Sequence, residues 1–179
     1  MTIVEAIKQI LRCNPTARVL ACAPSNSAAD IIALRLSKLL KTDELFRFYA
    51  PSRGKGTVPP NLRPYTFLNR NGLLSCPPLA TVKDYRVVVC TCLSAGFICC
   101  VQFSHVFIDE AGQATESEAM MVVKNTVKSP TKLILSGDPK QLRPIVQSVI
   151  ADELGLGVSY LERLMDREAY QGSNDGSSG

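Results

Sequence analysis

Short apolar runs that alternate with amphipathic segments are the feature that most constrains the fold of this chain. Each run leads into a loop of polar or small residues, and helical patterns separate the runs. Strands that alternate with helices form a parallel sheet with helices on both faces. The sequence therefore predicts an α/β fold, with strands at 18–23, 85–94, 105–111 and 132–136 and helices at 2–12, 31–40, 116–124 and, interrupted by glycines, 147–166.

The composition is that of an ordinary globular protein of one domain. The chain has 179 residues, of which 46% are hydrophobic and 20% are charged, and its net charge is +4. A mildly positive charge is compatible with a polyanionic partner but does not establish one. No apolar run approaches the roughly 18 residues that span a bilayer, so we expect no membrane association. The first residues do not form a secretory leader.

The cysteine pattern argues against a zinc site. There are seven cysteines and one histidine, and no C-x-x-C pair occurs. Several cysteines lie inside apolar runs, where a free thiol acts as a small hydrophobic side chain. Because disulfides are rare in reducing compartments, this usage favours a cytoplasmic location.

In the segment HVFIDEA, apolar residues lead directly into two adjacent carboxylates, Asp109 and Glu110. Like charges side by side repel each other, and a divalent cation at the strand end would offset that repulsion. An apolar strand followed by Asp and Glu has the Walker B pattern, in which the Asp holds the Mg²⁺ of a nucleoside triphosphate and the Glu acts on the attacking water. Alternatively, the two carboxylates cap the helix that follows.

A second strand, LILSGDPKQL, ends in a loop that contains Gly137, Asp138 and Gln141. The amide of Gln141 can hydrogen-bond a γ-phosphate and couple it to neighbouring groups. An ordinary turn is the alternative, since Gly-Asp-Pro is favourable turn chemistry. The carboxyl ends of parallel strands meet at one edge of a sheet, so we expect this loop to lie near the two carboxylates.

Two further strand-end loops carry groups suited to a phosphodiester backbone. The loop PSNS offers Pro24, Ser25 and Asn26, and Thr91 lies at the end of another strand. Short hydroxyl and amide groups can hold phosphates without reading bases. The alternatives are a helix cap for the PSNS loop and a buried strand position for Thr91.

These segments together resemble superfamily 1 helicases. The segments ACAPSNSAAD, VVVCTCLSAG, VFIDEAGQATESEAM and LILSGDPKQLRPIV look like motifs Ia, Ic, II and III of that superfamily. The nonsense-decay and Armitage-type RNA-silencing helicases are the most similar branch, and SYLERLM resembles the end of their first motor domain. The resemblance implies a RecA-like P-loop NTPase fold over 1–168. The end of the chain, with GSNDGSSG at 172–179, has the composition of a disordered segment, so we expect a disordered tail at 169–179.

The resemblance also implies roles for individual residues. It implies ATP and Mg²⁺ as cofactors, and single-stranded RNA as a partner, with DNA not excluded, together with RNA-silencing or RNA-decay proteins. Asp109 would bind Mg²⁺ and Glu110 would activate water, while Gly137, Asp138 and Gln141 would face the γ-phosphate. Pro24, Ser25, Asn26 and Thr91 would contact the nucleic-acid backbone.

The phosphate loop G-x-x-x-x-G-K-[ST] does not occur in the sequence. In the family this loop directly precedes a segment like MTIVEAI, so we expect the chain to start just after it and to lack the strand that carries it. The strand at 132–136 would then have an unpaired edge. We expect the chain alone neither to hydrolyse ATP nor to unwind duplexes.

The segment 50–85 contains six prolines, and the sequence predicts a mostly irregular insertion there. Its basic residues, with nearby aromatic side chains, suggest a second interpretation as a non-catalytic RNA-binding or protein-binding module. A solvated loop is the alternative. A small-molecule P-loop enzyme is a third interpretation, which the loop PSNS disfavours. The residues concerned are Arg53, Lys55, Arg63, Arg70, Phe46, Phe48, Tyr49 and Tyr65.

Overall fold

The computed structural model describes residues 2–99, 101–138, 142–167 and 170. Its helices are α1 (Thr2–Cys13), α2 (Asn26–Leu36), α3 (Leu79–Val82), α4 (Glu116–Thr126), α5 (Val149–Glu153) and α6 (Tyr160–Met165). Its strands are β1 (Val19–Ala23), β2 (Leu45–Arg47), β3 (Val87–Thr91), β4 (His105–Ile108) and β5 (Lys132–Leu135). Short 3₁₀ helices occur at Lys55–Thr57, Pro60–Tyr65 and Leu93–Ile98.

The strands form one five-stranded sheet in the order β2-β3-β1-β4-β5, and every pair in it is parallel. This confirms the predicted α/β fold with a parallel sheet. Among the described residues β5 lies at one edge, and its side chains are only partly buried or exposed. β1 and β3 are buried along their whole length because helices cover both faces of the central sheet.

The two faces of the sheet carry separate hydrophobic cores. Alternate residues of β1 point to opposite faces, so Val19 and Ala21 pack with α1 and α2 while Leu20 and Cys22 pack with α4. The buried cysteines of the described chain are free thiols within the second core.

The structure adds one element to the prediction and shifts another. β2 was not predicted, and the helix predicted at 31–40 runs from Asn26 to Leu36. α2 begins early because the Ser25 hydroxyl accepts a hydrogen bond from the backbone N–H of Ala28, which caps the helix. Small residues in its first turn give a weak apolar period, so the sequence pattern places its start too late.

The insertion 50–85 is less irregular than predicted. It contains two of the 3₁₀ helices and α3, and Val58, Leu62 and Leu74 are buried in the first core. Phe46, Phe48 and Tyr49 are 1%, 1% and 2% exposed, so they are unable to stack on RNA bases. The prediction that these aromatic side chains form part of an RNA-binding module is therefore wrong.

Candidate phosphate and nucleic-acid site

The strand-end loops lie along one edge of the sheet and are joined by backbone hydrogen bonds that continue the strand pairing. Asp109 N–H donates to Cys22 O over 2.8 Å, and Ser136 N–H donates to Ile108 O over 2.8 Å. The N–H of Ala111 donates back to Ser136 O, also over 2.8 Å. The loops that follow β1, β4 and β5 are thus fixed relative to each other, as the strand pattern predicts.

Asp109 is the buried acid of this edge. Its side chain is almost fully buried, at 6% exposure. Burial raises the pKa of Asp109, while hydrogen bonds with Ser136 and with the Glu110 backbone act in the opposite direction. A carboxylate with such a burial penalty gains stability from a neighbouring cation.

A cleft of about 190 Å³ opens beside the two carboxylates, and Thr2, Asp109, Glu110 and Ser136 line part of it. Thr2 begins α1, where unpaired backbone N–H groups favour negative ligands. The cleft therefore combines oxygen ligands for a cation with a helix start that favours an anion, a combination that suits a metal–phosphate complex.

Glu110 has a left-handed backbone conformation, with φ of 53°. This region is uncommon for residues other than glycine, and such strain is concentrated at functional sites. The side chain is exposed, and its Oε2 accepts a hydrogen bond of 3.1 Å from Gln113 Nε2. The carboxylate is thus held at the surface beside the buried Asp109.

The helix that follows is not capped by these carboxylates. Thr115 caps α4, and its hydroxyl accepts the backbone N–H of Glu118 while the Glu118 carboxylate accepts the N–H of Thr115. The alternative in which Asp109 and Glu110 serve only as a helix cap is therefore wrong.

Gly137 lies against the loop that carries the carboxylates. A Cβ added at Gly137 would lie 2.9 Å from the backbone nitrogen of Ala111 and 3.1 Å from that of Gly112. A close approach of two backbones requires glycine. Asp138 is exposed at the same end of β5, and Gln141 lies outside the described residues.

The residues expected to contact nucleic acid lie on the adjoining loops, and some have structural roles. Ser25 caps α2, and Thr91 is 8% exposed with its hydroxyl donating to Ser94 Oγ over 2.8 Å. Pro24 and Asn26 are partly exposed. Pro24 and Ser25 also line a second cleft, of about 400 Å³, which reaches Arg143.

Three further polar residues of this region, Ser136, Asp30 and Arg47, have roles that the sequence motifs do not indicate. Ser136 lies between an apolar strand and the loop that contains Asp138, and this position is the only sequence feature that indicates its place in the site. Arg47 is a single charge inside the aromatic run LFRFY, a pattern that indicates a buried, paired cation.

Within the described ranges, no group of three or more His, Cys, Asp or Glu side chains is placed to hold a metal ion. No helix of the described chain is long and apolar enough to cross a membrane.

Comparisons with known proteins identify relatives of this chain. The AAA domain family AAA_11 matches residues 79–149, which include β3, β4 and β5. RNA helicase Mov10l1 is 39% identical in Homo sapiens and 40% in Mus musculus, over 96% and 95% of this chain. The Probable RNA helicase armi of Drosophila melanogaster is 34% identical over 96% of it.

The chain spans 14%, 14% and 16% of the lengths of those three relatives. The chain therefore spans a fifth or less of the length of such relatives. The protein belongs to the family of Mov10l1- and Armitage-type RNA helicases, because it has the parallel α/β fold, the AAA-domain match and this similarity over nearly the whole chain.

Proposed function

We propose that this chain forms part of the first RecA-like motor domain of a cytoplasmic, ATP-dependent RNA helicase, over residues 1–168. The observation that carries the proposal is the buried Asp109 next to the strained Glu110 in one cleft. A structural site would avoid such a pair, because burial penalises the charge of Asp109 and the left-handed backbone penalises Glu110. A bound metal cation would offset the first of these costs.

The donor set of the cleft fits a hydrated Mg²⁺ with a nucleoside triphosphate. The Asp109 carboxylate would hold the ion, and Ser136 keeps that carboxylate in place through its hydrogen bond. Mg²⁺ binds through one or two carboxylates, keeps several waters and takes further oxygens from phosphates, whose charge it neutralises. The exposed carboxylate of Glu110 would orient and deprotonate a water molecule.

The loop after β5 would respond to the γ-phosphate. Its backbone is packed against the Asp109–Glu110 loop at Gly137, so a movement of one loop displaces the other. In this proposal Asp138 and Gln141 are the polar groups that contact the phosphate. Their contacts would transmit nucleotide state to the sheet edge.

Single-stranded RNA would lie across the loops after β1 and β3. Pro24, Ser25, Asn26 and Thr91 would contact its phosphate backbone and not its bases. Contacts of this kind do not depend on sequence, which suits a protein that moves along a strand. RNA-silencing or RNA-decay proteins are the partners that this function suggests, and DNA is the competing polymer to test.

Two measurements on the 179-residue chain test the proposal. In the first, Mg²⁺ with ATP is added during thermal unfolding of the unaltered chain and of Asp109→Asn, with Asp43→Asn as a control at an exposed acid. We expect Mg²⁺–ATP to raise the Tm of the unaltered chain and of the control, because a ligand that binds only the folded state stabilises it. An equal rise in Asp109→Asn would contradict the role of Asp109.

In the second measurement, fluorescence anisotropy follows binding of labelled oligo(U) and oligo(dT) at several salt concentrations. Backbone binding predicts an affinity that falls as salt rises. We expect Asn26→Ala to weaken the binding of oligo(U). Binding that resists salt or survives Asn26→Ala would contradict the proposed contacts, and a preference for oligo(dT) would identify DNA as the polymer.

A phosphate-release assay with RNA present tests whether the chain alone is inactive. Steady release that disappears in Glu110→Gln would show that it hydrolyses ATP without further segments.

A further inference from the structure

A fully buried arginine lies directly under the loop that is proposed to contact RNA. Arg47, the last residue of β2, is 0% exposed, and its Nε donates to Asp30 Oδ1 over 2.8 Å. Asp30 lies in α2 and is itself 7% exposed. The guanidinium therefore has a fixed charge partner on the same helix that begins with Asn26.

The same guanidinium also determines the orientation of Asn26. Arg47 Nη2 donates to Asn26 Oδ1 over 3.1 Å and to the Asn26 backbone oxygen over 3.4 Å. Arginine has no acceptor, so the side of the amide that faces it has to be the oxygen. The other side of the amide, the Nδ2 group with its two N–H donors, is then left for a different partner.

The exposed side of Asn26 is therefore a donor. The side chain is partly exposed, and for Nδ2 the structure records no acceptor among residues 2–99, 101–138 and 142–167. A phosphodiester oxygen only accepts hydrogen bonds, so this orientation of the amide suits RNA and the reverse orientation would not.

We propose that Arg47 is a positioning residue for nucleic-acid binding, which holds Asn26 so that its amide donors face the phosphate backbone. This inference rests on the proposed role of Asn26 in contacting RNA. Arg47 does not touch the polymer itself, because it is buried. Its effect on binding passes through the amide of Asn26.

Two more residues fix Arg47 and connect it to the insertion. The hydroxyl of Tyr49 donates to Asp30 Oδ1 over 2.7 Å, and the Arg47 guanidinium lies 4.0 Å from the centre of the Tyr49 ring. Burial raises the pKa of Tyr49, so the phenol keeps the proton that it donates. Arg53 lies 4.9 Å from the same ring centre and 3.8 Å from Asp30 Oδ2.

The test compares oligo(U) affinity in the 179-residue chain and in Arg47→Lys, Asn26→Ala and the double variant. Lysine keeps the charge that Asp30 needs but lacks the planar fork that reaches two partners at once. We expect Asn26→Ala and Arg47→Lys each to weaken binding by roughly 10- to 150-fold, the usual effect of losing a hydrogen bond to a charged group. The double variant should bind no more weakly than Asn26→Ala alone, because both changes remove one contact. Arg35→Lys, at an exposed position of α2, is the matched control.

A second measurement needs no variant. The side-chain amide of Asn26 in the unaltered, RNA-free chain should give an NMR order parameter near that of rigid backbone, about 0.85. A value below about 0.6 would overturn the inference, because a freely rotating amide is not held by Arg47. This result decides the matter even where Arg47→Lys fails to fold.

The outcomes separate the inference from the function on which it depends. If the unaltered chain does not bind oligo(U), the proposed function is wrong and the role of Arg47 in RNA binding falls with it. If Asn26→Ala weakens binding but Arg47→Lys does not, only the inference is wrong. Losses that add in the double variant would also overturn it, since Arg47 would then act independently of Asn26.

Discussion

Replacing Gly137 with alanine tests how closely the two loops of the candidate phosphate site depend on each other. The new Cβ would lie 2.9 Å from Ala111 N, 3.1 Å from Gly112 N and 3.4 Å from the Glu110 carbonyl carbon. All three are backbone atoms, so no flexible side chain can turn away to make room. The loop that carries the carboxylates and the end of β5 therefore have to move apart.

The cost of that movement follows from the contacts that it disturbs. Separation weakens the hydrogen bond of 2.8 Å from Ala111 N–H to Ser136 O. Loss of one such bond costs about 1 kcal/mol, and forcing an extra carbon into a packed site costs about 1–3 kcal/mol. We therefore expect Gly137→Ala to lower the free energy of unfolding by about 2–4 kcal/mol, which in a chain of this size lowers Tm by about 4–16 °C.

Thermal unfolding followed by circular dichroism measures this effect, and Gly54→Ala is the matched control. No heavy atom lies within 4 Å of a Cβ at Gly54, and its φ of −68° is one that alanine adopts freely. We expect the control to match or slightly exceed the unaltered chain in Tm. A Gly137→Ala variant whose Tm equals that of Gly54→Ala would refute the close packing of the two loops.

The remaining predictions concern carboxylates and a helix cap. Because burial raises the pKa of Asp109, the folded chain binds a proton there more tightly than the unfolded chain, and stability falls as pH rises through that pKa. Asp109→Asn should therefore have a higher Tm than the unaltered chain at pH 7, and the difference in Tm should shrink as pH is lowered. A difference in Tm that grows at lower pH would contradict this. Asp30→Ala leaves the buried Arg47 without its charge partner and should lower the free energy of unfolding, measured in urea, by about 3–5 kcal/mol. A decrease of less than about 1 kcal/mol would show that the ion pair is dispensable for stability. Thr115→Ala removes the cap of α4 and should lower the free energy of unfolding by about 1 kcal/mol. An unchanged free energy of unfolding would show that Glu118 alone caps the helix.

The central strands could be predicted from the sequence, because continuous apolar runs identify strands that are buried on both faces. The carboxyl ends of these strands follow from the same runs, since each run stops where its polar loop begins. The run that ends at Asp109 showed both a strand and an unusual pair of charges. β2 could not be found in this way, since it has three residues and one of them is Arg47. The charge interrupts the apolar pattern, and its partner Asp30 lies 17 positions away in another element.

The division of roles among the polar loop residues also depended on tertiary structure. Ser25, Asn26 and Thr91 are residue types that suit helix caps, turns and phosphate contacts equally well. Only the hydrogen bonds show that Ser25 caps a helix and that the oxygen of Asn26 faces inward. The strained φ of Glu110 is likewise invisible in the sequence, since no residue type marks it.

The hydrogen bond from Asp109 N–H to Cys22 O joins the residue beside the proposed metal to the strand that leads into Pro24. The backbone amide of Asp109 therefore lies next to both the proposed metal site and the strand that leads into the proposed RNA-contacting loop. In a ¹H–¹⁵N spectrum its resonance should shift on addition of either nucleotide or RNA, so a single cross-peak can report whether the two ligands bind independently or influence each other.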